Sequence, residues 1–355
     1  MRNFAVMQES KKDIRSLSKD DLRQFFVDNG DKAFRGNQVY EWLWSKSAHN
    51  FEDMTNLSKE TRQLLEIHFV INHVKVDKMQ HSSDGTIKNA VRLHDGLIVE
   101  SVLIPTDTRT TACVSSQVGC SLDCNFCATA RLKRMRNLGP DEIYDQVVAI
   151  DQESRMYHNR PLSNIVFMGM GEPLMNYNNV IKAIDMITSD EGLGMSPKRI
   201  TVSTSGVSKM IRKMADDGVK FKLAVSLHSA IEETRNKIMP FTKSFPLPEL
   251  RDALVYWYHK TRSKVTYEYV VWKGINDDDA AIKALVKFCK HVPCKVNIIE
   301  YNPIDDGEFQ QADPKVIDKY IEELDKAEIV AKVRRSRGKD IDAACGQLAN
   351  KEGVE

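Results

Sequence analysis

From about residue 110 onward, short apolar stretches alternate with longer amphipathic ones, six times over. The apolar stretches, at 112–116, 165–170, 200–204, 221–227, 265–271 and 296–300, have the length of buried strands. The segments between them, such as 140–153, 178–187, 208–217, 247–261 and 277–289, have the length of helices. Strands apolar on both faces and separated by helices belong to a parallel sheet, because a parallel neighbour is reached only through a crossover. The pattern therefore predicts an α/β fold whose parallel sheet is open or closed into a partial barrel. In such folds chemistry gathers at the carboxyl ends of the strands. A last strand at 329–334 leads into a tail carrying Cys345.

The first 73 residues read as a small helical domain. Ser18-Lys19-Asp20-Asp21 and Ser58-Lys59-Glu60-Thr61 look like capped helix starts, and residues 38–44 place aromatics, Trp42 and Trp44 among them, on a helical face. Residues 74–109 read as a β-hairpin linker, with turns expected at Asp84-Gly85 and Asp95-Gly96. The sheet domain is expected over 110–335 and the tail over 336–355. Apolar content of 42% and charged content of 28% fit a packed core rather than disorder. Lys and Arg number 51 against 50 Asp and Glu, so a nucleic acid partner would have to be held by local patches rather than by a global field. Two such patches are 131–136 and 332–339. No apolar run is long enough to span a membrane, and the N-terminus lacks a signal-peptide apolar region. Seven cysteines in that setting suggest a reducing cytoplasm, where cysteines serve as metal ligands, catalysts or core residues.

Three of the seven lie in Gly119-Cys120-Ser121-Leu122-Asp123-Cys124-Asn125-Phe126-Cys127, in the loop after the first parallel strand. The spacing Cys120-x₃-Cys124-x₂-Cys127 brings three thiolates to one place. A structural zinc site takes four protein ligands, and an ordinary iron–sulfur electron carrier takes four cysteines. A [4Fe–4S] cluster on three cysteines keeps one iron open to another molecule. The alternative is a zinc knuckle with Cys113 as fourth ligand, although no second cysteine pair follows at zinc-finger spacing.

Polar residues cluster at the other expected strand ends. Gly169-Met170-Gly171-Glu172-Pro173 ends the second strand: glycines admit a ligand close to backbone, and a carboxylate can accept from an ammonium group. Ser203 ends the third strand, Ser226-Leu227-His228 the fourth, and Asn302 follows the sixth. Each alone reads as a turn or cap residue. Together they would line one rim with donors and acceptors for a polar cofactor.

The cysteine run, with Phe126 before its last cysteine, resembles the radical S-adenosylmethionine (SAM) superfamily. That resemblance implies a partial (β/α)6 barrel, one [4Fe–4S] cluster held by Cys120, Cys124 and Cys127, and SAM on the fourth iron, its amino group met by Gly171 and Glu172. A closer resemblance spans nearly the whole chain. Val99-Glu100-Ser101-Val102-Leu103-Ile104-Pro105, Cys113-Val114-Ser115-Ser116-Gln117-Val118-Gly119-Cys120 and the tail Arg337-Gly338-Lys339-Asp340-Ile341-Asp342-Ala343-Ala344-Cys345-Gly346-Gln347-Leu348 are similar to the RlmN/Cfr family of RNA adenine methyltransferases, and nearer to its RlmN branch.

The family resemblance implies methylation of adenosine carbon 2 in 23S rRNA and in tRNA 3′ of the anticodon; carbon 8, the Cfr outcome, shares these motifs. It implies that Cys345 carries the methyl group, that Cys113 resolves the covalent intermediate and that Glu100 is the general base. On pattern alone, Cys113 also reads as a core strand residue and Glu100 as an outward-facing one. Ser203, Ser226, Leu227, His228 and Asn302 complete the expected SAM site. An electron donor such as flavodoxin or ferredoxin is implied, and a monomer is the default. Two rivals differ in class. A methylthiotransferase would need further cysteines before Cys113, and a non-catalytic iron–sulfur or zinc regulator would need neither Gly171-Glu172 nor Cys345. Cys289 and Cys294 match no motif.

Overall fold

A computed structural model describes residues 11–304 and 308–350. The first ten residues of the expected helical domain and the last five of the expected tail lie outside the described residues. The described chain forms two compact units, one running through Val74 and including Asp185–Met195, the other built from Lys75–Ile184 and from Ser196 onward. The pattern of residues 178–187 showed one amphipathic helix; that its final turn and the loop after it belong to the first unit was not visible there.

In the first unit, helix Lys19–Asp28 starts at a capping box in which Ser18 and Asp21 satisfy each other's backbone N–H groups. Ser58 caps helix Lys59–His68 in the same way on one side. Leu22, Phe26, Val39, Leu43 and Trp44 form the buried core. Gly36 lies in helix Phe34–Trp44, where a Cβ would sit 2.5 Å from the backbone nitrogen of Arg23. The two helices thus touch backbone to backbone at that point.

The second unit is built on one ten-stranded sheet. Its strands are β1 (Lys75–His81), β2 (Ile87–Arg92), β3 (Ile98–Pro105), β4 (Thr110–Cys113), β5 (Asn164–Phe167), β6 (Ile200–Thr204), β7 (Lys222–Ser226), β8 (Val265–Val270), β9 (Cys294–Ile299) and β10 (Val330–Arg334). Spatial order follows chain order from β1 to β10. From β4 to β10 every pairing is parallel. A sheet wound one way by right-handed crossovers carries its helices on one face and leaves the strand ends aligned along one rim. This is the half-barrel that the alternation predicts, with β10 as a seventh parallel strand.

Strands β1 to β4 pair antiparallel. The expected 74–109 linker is therefore corrected: its three strands extend the main sheet. The turn signals at Asp84-Gly85 and Asp95-Gly96 suggest a hairpin linker, yet Thr86, Lys88, Asn89, Glu100 and Ser101 are buried. Asn89 donates to both carboxylate oxygens of Glu153 at 2.8 and 2.9 Å, one of the pairings that makes such burial tolerable. No helix among the described residues is long and apolar enough to cross a membrane.

Gly36→Ala is expected to destabilise the first unit by about 1–3 kcal/mol, because backbone cannot yield as a flexible side chain can. Limited proteolysis with temperature reads this out, with cleavage in residues 11–74 advancing before cleavage in the sheet unit.

Candidate active site

A cavity of about 220 Å³ opens at the carboxyl rim of the parallel strands. Its wall brings together Cys120, Cys124, Cys127, Cys113 and Cys345, from the loop after β4, from β4 itself and from the tail. Gly171, Glu172, Ser203, Ser226, His228 and Asn302 share that wall. Of the residues singled out in the sequence, Glu100 and Leu227 do not line it.

The cysteine loop is fixed by its aromatic residue. The Phe126 ring packs edge-on against His228 at 4.8 Å and tilts against Trp272 at 5.0 Å. Asn125 N–H donates to the Ile238 carbonyl at 3.0 Å, tying the loop to helix Glu232–Ile238. Burial pushes the Cys120 thiol up to about 12 and raises those of Cys124 and Cys127, whose mutual proximity adds to the effect at Cys124. No three Cys, His, Asp or Glu side chains among the described residues crowd closely enough to chelate one ion.

Glu172 is buried, and burial raises its carboxyl. Its two oxygens accept from Leu174 N–H at 3.1 Å and Ser205 N–H at 2.8 Å, which aims it from β5 toward the end of β6. Its own N–H donates to Gln117 Oε1 at 3.0 Å. Gly171 precedes it at φ +95°, and a Cβ there would lie 2.5 Å from Gln117 Cβ. Both the conformation and the space require glycine. His228 accepts from Val270 N–H at 3.2 Å and is held neutral, its imidazole pushed down to about 3 by burial and then by Arg235. Leu227 is buried with its N–H on the Glu268 carbonyl and its own carbonyl on Arg235. Asn302 donates to the Cys345 carbonyl at 3.3 Å, and its Oδ1 is buried without a partner.

Arg235 tests whether an anionic cluster fits. It is fully buried, donating to the carbonyls of Leu227 at 3.2 Å and Ser205 at 2.7 Å, while its Nη1 has no partner. A buried guanidinium bonded only to neutral carbonyls costs several kcal/mol unless an anion faces it. The largest attraction it feels is toward Cys124. Three thiolates around a cluster provide the missing negative charge at that place, so the residues fit the group. Sequence reading missed Arg235 because Glu232-Glu233-Thr234-Arg235-Asn236-Lys237 reads as a solvated helix face.

The tail reaches the cavity through backbone bonds. Ala128 N–H donates to the Gly346 carbonyl at 2.7 Å, and Thr129 Oγ1 to the Leu348 carbonyl at 2.6 Å. Glu100 accepts from Ala349 and Asn350 N–H at 2.8 and 3.2 Å and faces Lys88 Nζ at 3.4 Å. Cys113 is pushed up to about 12 by burial and by neighbouring Cys345, with Arg334 pulling the other way. Arg334, at the end of β10, pairs with Glu268 at 3.5 Å, which also accepts from Asn297 at 2.8 Å. Arg334 and Glu268 both line the cavity and were missed. A carboxylate between Tyr267 and Tyr269, inside an otherwise apolar buried strand, was the available signal.

Residues 3–71 match the family model described as the ribosomal RNA large subunit methyltransferase N-terminal domain, and residues 114–286 match that of the radical SAM superfamily. A probable dual-specificity RNA methyltransferase RlmN of Flavobacterium psychrophilum is 84% identical over 98% of this chain and 100% of its own length. A protein of the same name from Cytophaga hutchinsonii is 56% identical over 99% of this chain and 98% of its own. The chain belongs to the RlmN family of radical SAM RNA methyltransferases. The crystal structure of a radical SAM methyltransferase from Sphaerobacter thermophilus agrees in fold, with a TM-score of 0.89 at 36% identity over 95% of this chain and 99% of that one. The superfamily's cofactors are a [4Fe–4S] cluster and SAM, and the three thiols of the loop line the same cavity as Gly171, Glu172 and Ser203.

Arg235→Met removes a positive charge beside a cluster ligand and is expected to make reduction harder. By Coulomb's law, removing a cation beside a centre that gains an electron lowers its midpoint potential. A redox titration followed by electron paramagnetic resonance measures it, and an unchanged potential would separate Arg235 from the cluster.

Proposed function

We propose that this chain methylates carbon 2 of adenosine, in 23S rRNA at the peptidyl-transferase centre and in tRNA at adenosine 37, through a methyl group carried on Cys345. The observation that carries this reading is the joint presence of Cys345 and Cys113 on the wall that holds the three-cysteine loop. A non-catalytic iron–sulfur or zinc regulator would need no such thiol pair. The printed name of the 84% identical relative, a dual-specificity RNA methyltransferase, supports the choice of two RNA classes.

In this reading Cys120, Cys124 and Cys127 hold the cluster, and Gly171, Glu172, Ser203, Ser226, Leu227, His228 and Asn302 form the SAM site. Cluster and SAM, when bound, supply the methyl group and a carbon radical able to take a hydrogen atom from it. The Cys345 thiolate attacks the methyl carbon and becomes a thioether, its thiol proton having gone to solvent. Once a hydrogen atom has been taken from that methyl, the remaining methylene bonds adenine carbon 2. Glu100 takes the ring proton. The adduct must also lose one electron, for which the cluster, when bound, would be the acceptor. Cys113, its proton gone to solvent, then attacks the Cys345 sulfur; the methylene leaves with the bonding pair and takes the proton back from Glu100 to become the product methyl, and a Cys113–Cys345 disulfide remains that external thiols reduce. All seven cysteines are free thiols in the structure, the state in which such a cycle begins.

The helical unit is assigned to RNA docking, supported by its match to a ribosomal RNA methyltransferase N-terminal domain. Arg334, Arg335 and Arg337 line the cavity mouth, where cations hold phosphates without reading sequence. Glu300 and Asp84 sit opposite two of them at 4.0 Å and keep that rim from attracting anions indiscriminately. The protein is assigned to the cytoplasm, as a monomer, with flavodoxin or ferredoxin as electron donor.

Cys345→Ala is expected to retain cluster and SAM cleavage while losing all methylated RNA. Cys113→Ala is expected to accumulate an RNA–protein crosslink through Cys345; normal turnover there would remove Cys113 from the scheme. Nucleoside mass spectrometry reads both, and also separates carbon 2 from carbon 8. Glu172→Gln keeps the shape but loses the charge, so SAM affinity in equilibrium dialysis is expected to fall about 100-fold, the scale of breaking a buried charge pair.

A further inference from the structure

The cysteines that neither motif nor mechanism absorbs sit together. Cys289 ends helix Asp279–Cys289, and Cys294 opens β9, with four residues between them. Both lie at the amino end of the parallel strands, since Cys294 is in register with Val265, the first residue of β8. The cavity lies at the other end. The Cys294 thiol donates to the Cys289 carbonyl at 3.5 Å, which places the two cysteines side by side.

We propose that Cys289 and Cys294 are a second redox-active dithiol, which small-molecule disulfides oxidise to an intrachain disulfide independently of Cys113 and Cys345. The two sulfurs have unequal settings. Cys289 is buried, and Cys294 is half-buried. The Cys289 thiol donates toward Cys294 and Lys264 lies nearby, and both favour the thiolate at Cys294. Donation and burial keep Cys289 protonated. An accessible thiolate beside a buried partner is the arrangement in which attack by one sulfur is followed by resolution by the other.

The step balances with oxidised glutathione as oxidant. The Cys294 thiolate attacks one glutathione sulfur, breaking the glutathione disulfide and releasing one glutathione thiolate. Cys289 loses its proton to that thiolate and attacks the Cys294 sulfur, expelling the second glutathione as thiolate. Two protein thiols are oxidised, one small disulfide is reduced to two thiols, and no other reactant is needed.

The test uses cluster-loaded, full-length protein under anaerobic conditions, treated with oxidised glutathione, blocked with an alkylating reagent and digested with trypsin without reduction. Cleavage after Lys287, Lys290 and Lys295 places the two cysteines on separate peptides, 288–290 and 291–295. A disulfide between them appears as one linked species lighter by two hydrogens than the sum. That species is expected in the wild type, and equally in Cys345→Ala, where the thiol pair of the cavity cannot form. In Cys289→Ser a stable glutathione adduct on peptide 291–295 is expected instead, and in Cys294→Ser no adduct on either peptide. The proposal is overturned if wild-type protein accumulates the adduct without the link, or if both thiols remain alkylatable after Cys113 and Cys345 have oxidised. Cys289→Ser/Cys294→Ser, expected to cleave SAM and methylate RNA as wild type does, confirms that the pair is distinct from the catalytic thiols; loss of its methylation with the fold intact would overturn that independence.

Discussion

The segment that delivers Cys345 has no strand of its own. Beyond β10 it makes one short 3-10 turn, Lys339–Ile341, and is otherwise held by groups that belong to the sheet and the cysteine loop. Glu100 takes two of its N–H groups, Ala128 and Thr129 take two of its carbonyls, and Asp84 takes Gly338 N–H at 3.0 Å. Bonds to a carboxylate contribute about 1.5–3 kcal/mol each and neutral ones about 1, while ordering each residue costs about 1–2 kcal/mol. The terms are of similar size, and burial of Ala343, Ala344 and Leu348 adds to the hold. In the proposed scheme Cys345 meets two partners in turn, SAM and then RNA, and a segment with no strand of its own can do so without disturbing the sheet.

The same bonds set an order on the proposed chemistry. Glu100 cannot take a ring proton while its carboxylate accepts from Ala349 and Asn350. Its opposite oxygen faces the buried Lys88 Nζ at 3.4 Å. In the proposed scheme, release of residues 349–350 therefore precedes use of Glu100 as base. Tail movement and base activation become one event.

The half-barrel was legible because a two-sided apolar strand followed by an amphipathic helix has few other ways to bury itself: β6 and helix Leu247–Thr261 fall where the pattern placed them. The gathering of three thiols on the cavity wall was legible because cysteines at so short a spacing in one loop cannot lie far apart. What stayed hidden depends on burial that sequence does not display. Arg235 sits in a helix whose neighbours are charged and solvated, and only the fold turns its side chain under the cluster loop. Glu100 reads as an outward-facing strand position on pattern alone, and its burial, like that of Lys88 and Asn89, rests on pairing partners on β3, helix Pro140–His158 and the tail. Residues 185–195 joined the first unit through tertiary contact alone.

Two thiols share the cavity, yet only one can usefully receive a methyl group. Burial and the proximity of Cys345 keep Cys113 protonated at neutral pH, since its thiol titrates only near about 12. A neutral thiol is a poor nucleophile toward a sulfonium methyl, so Cys113 stays out of the first transfer. Alkylation of Cys345 removes the charge that the second sulfur could carry, and with it the repulsion that opposed ionisation of Cys113. Arg334, until then attracted most strongly to Cys345, is left to favour the Cys113 thiolate. In the proposed scheme, the modification that creates the need for Cys113 thus also removes one of the two influences that keep it protonated, burial being the other.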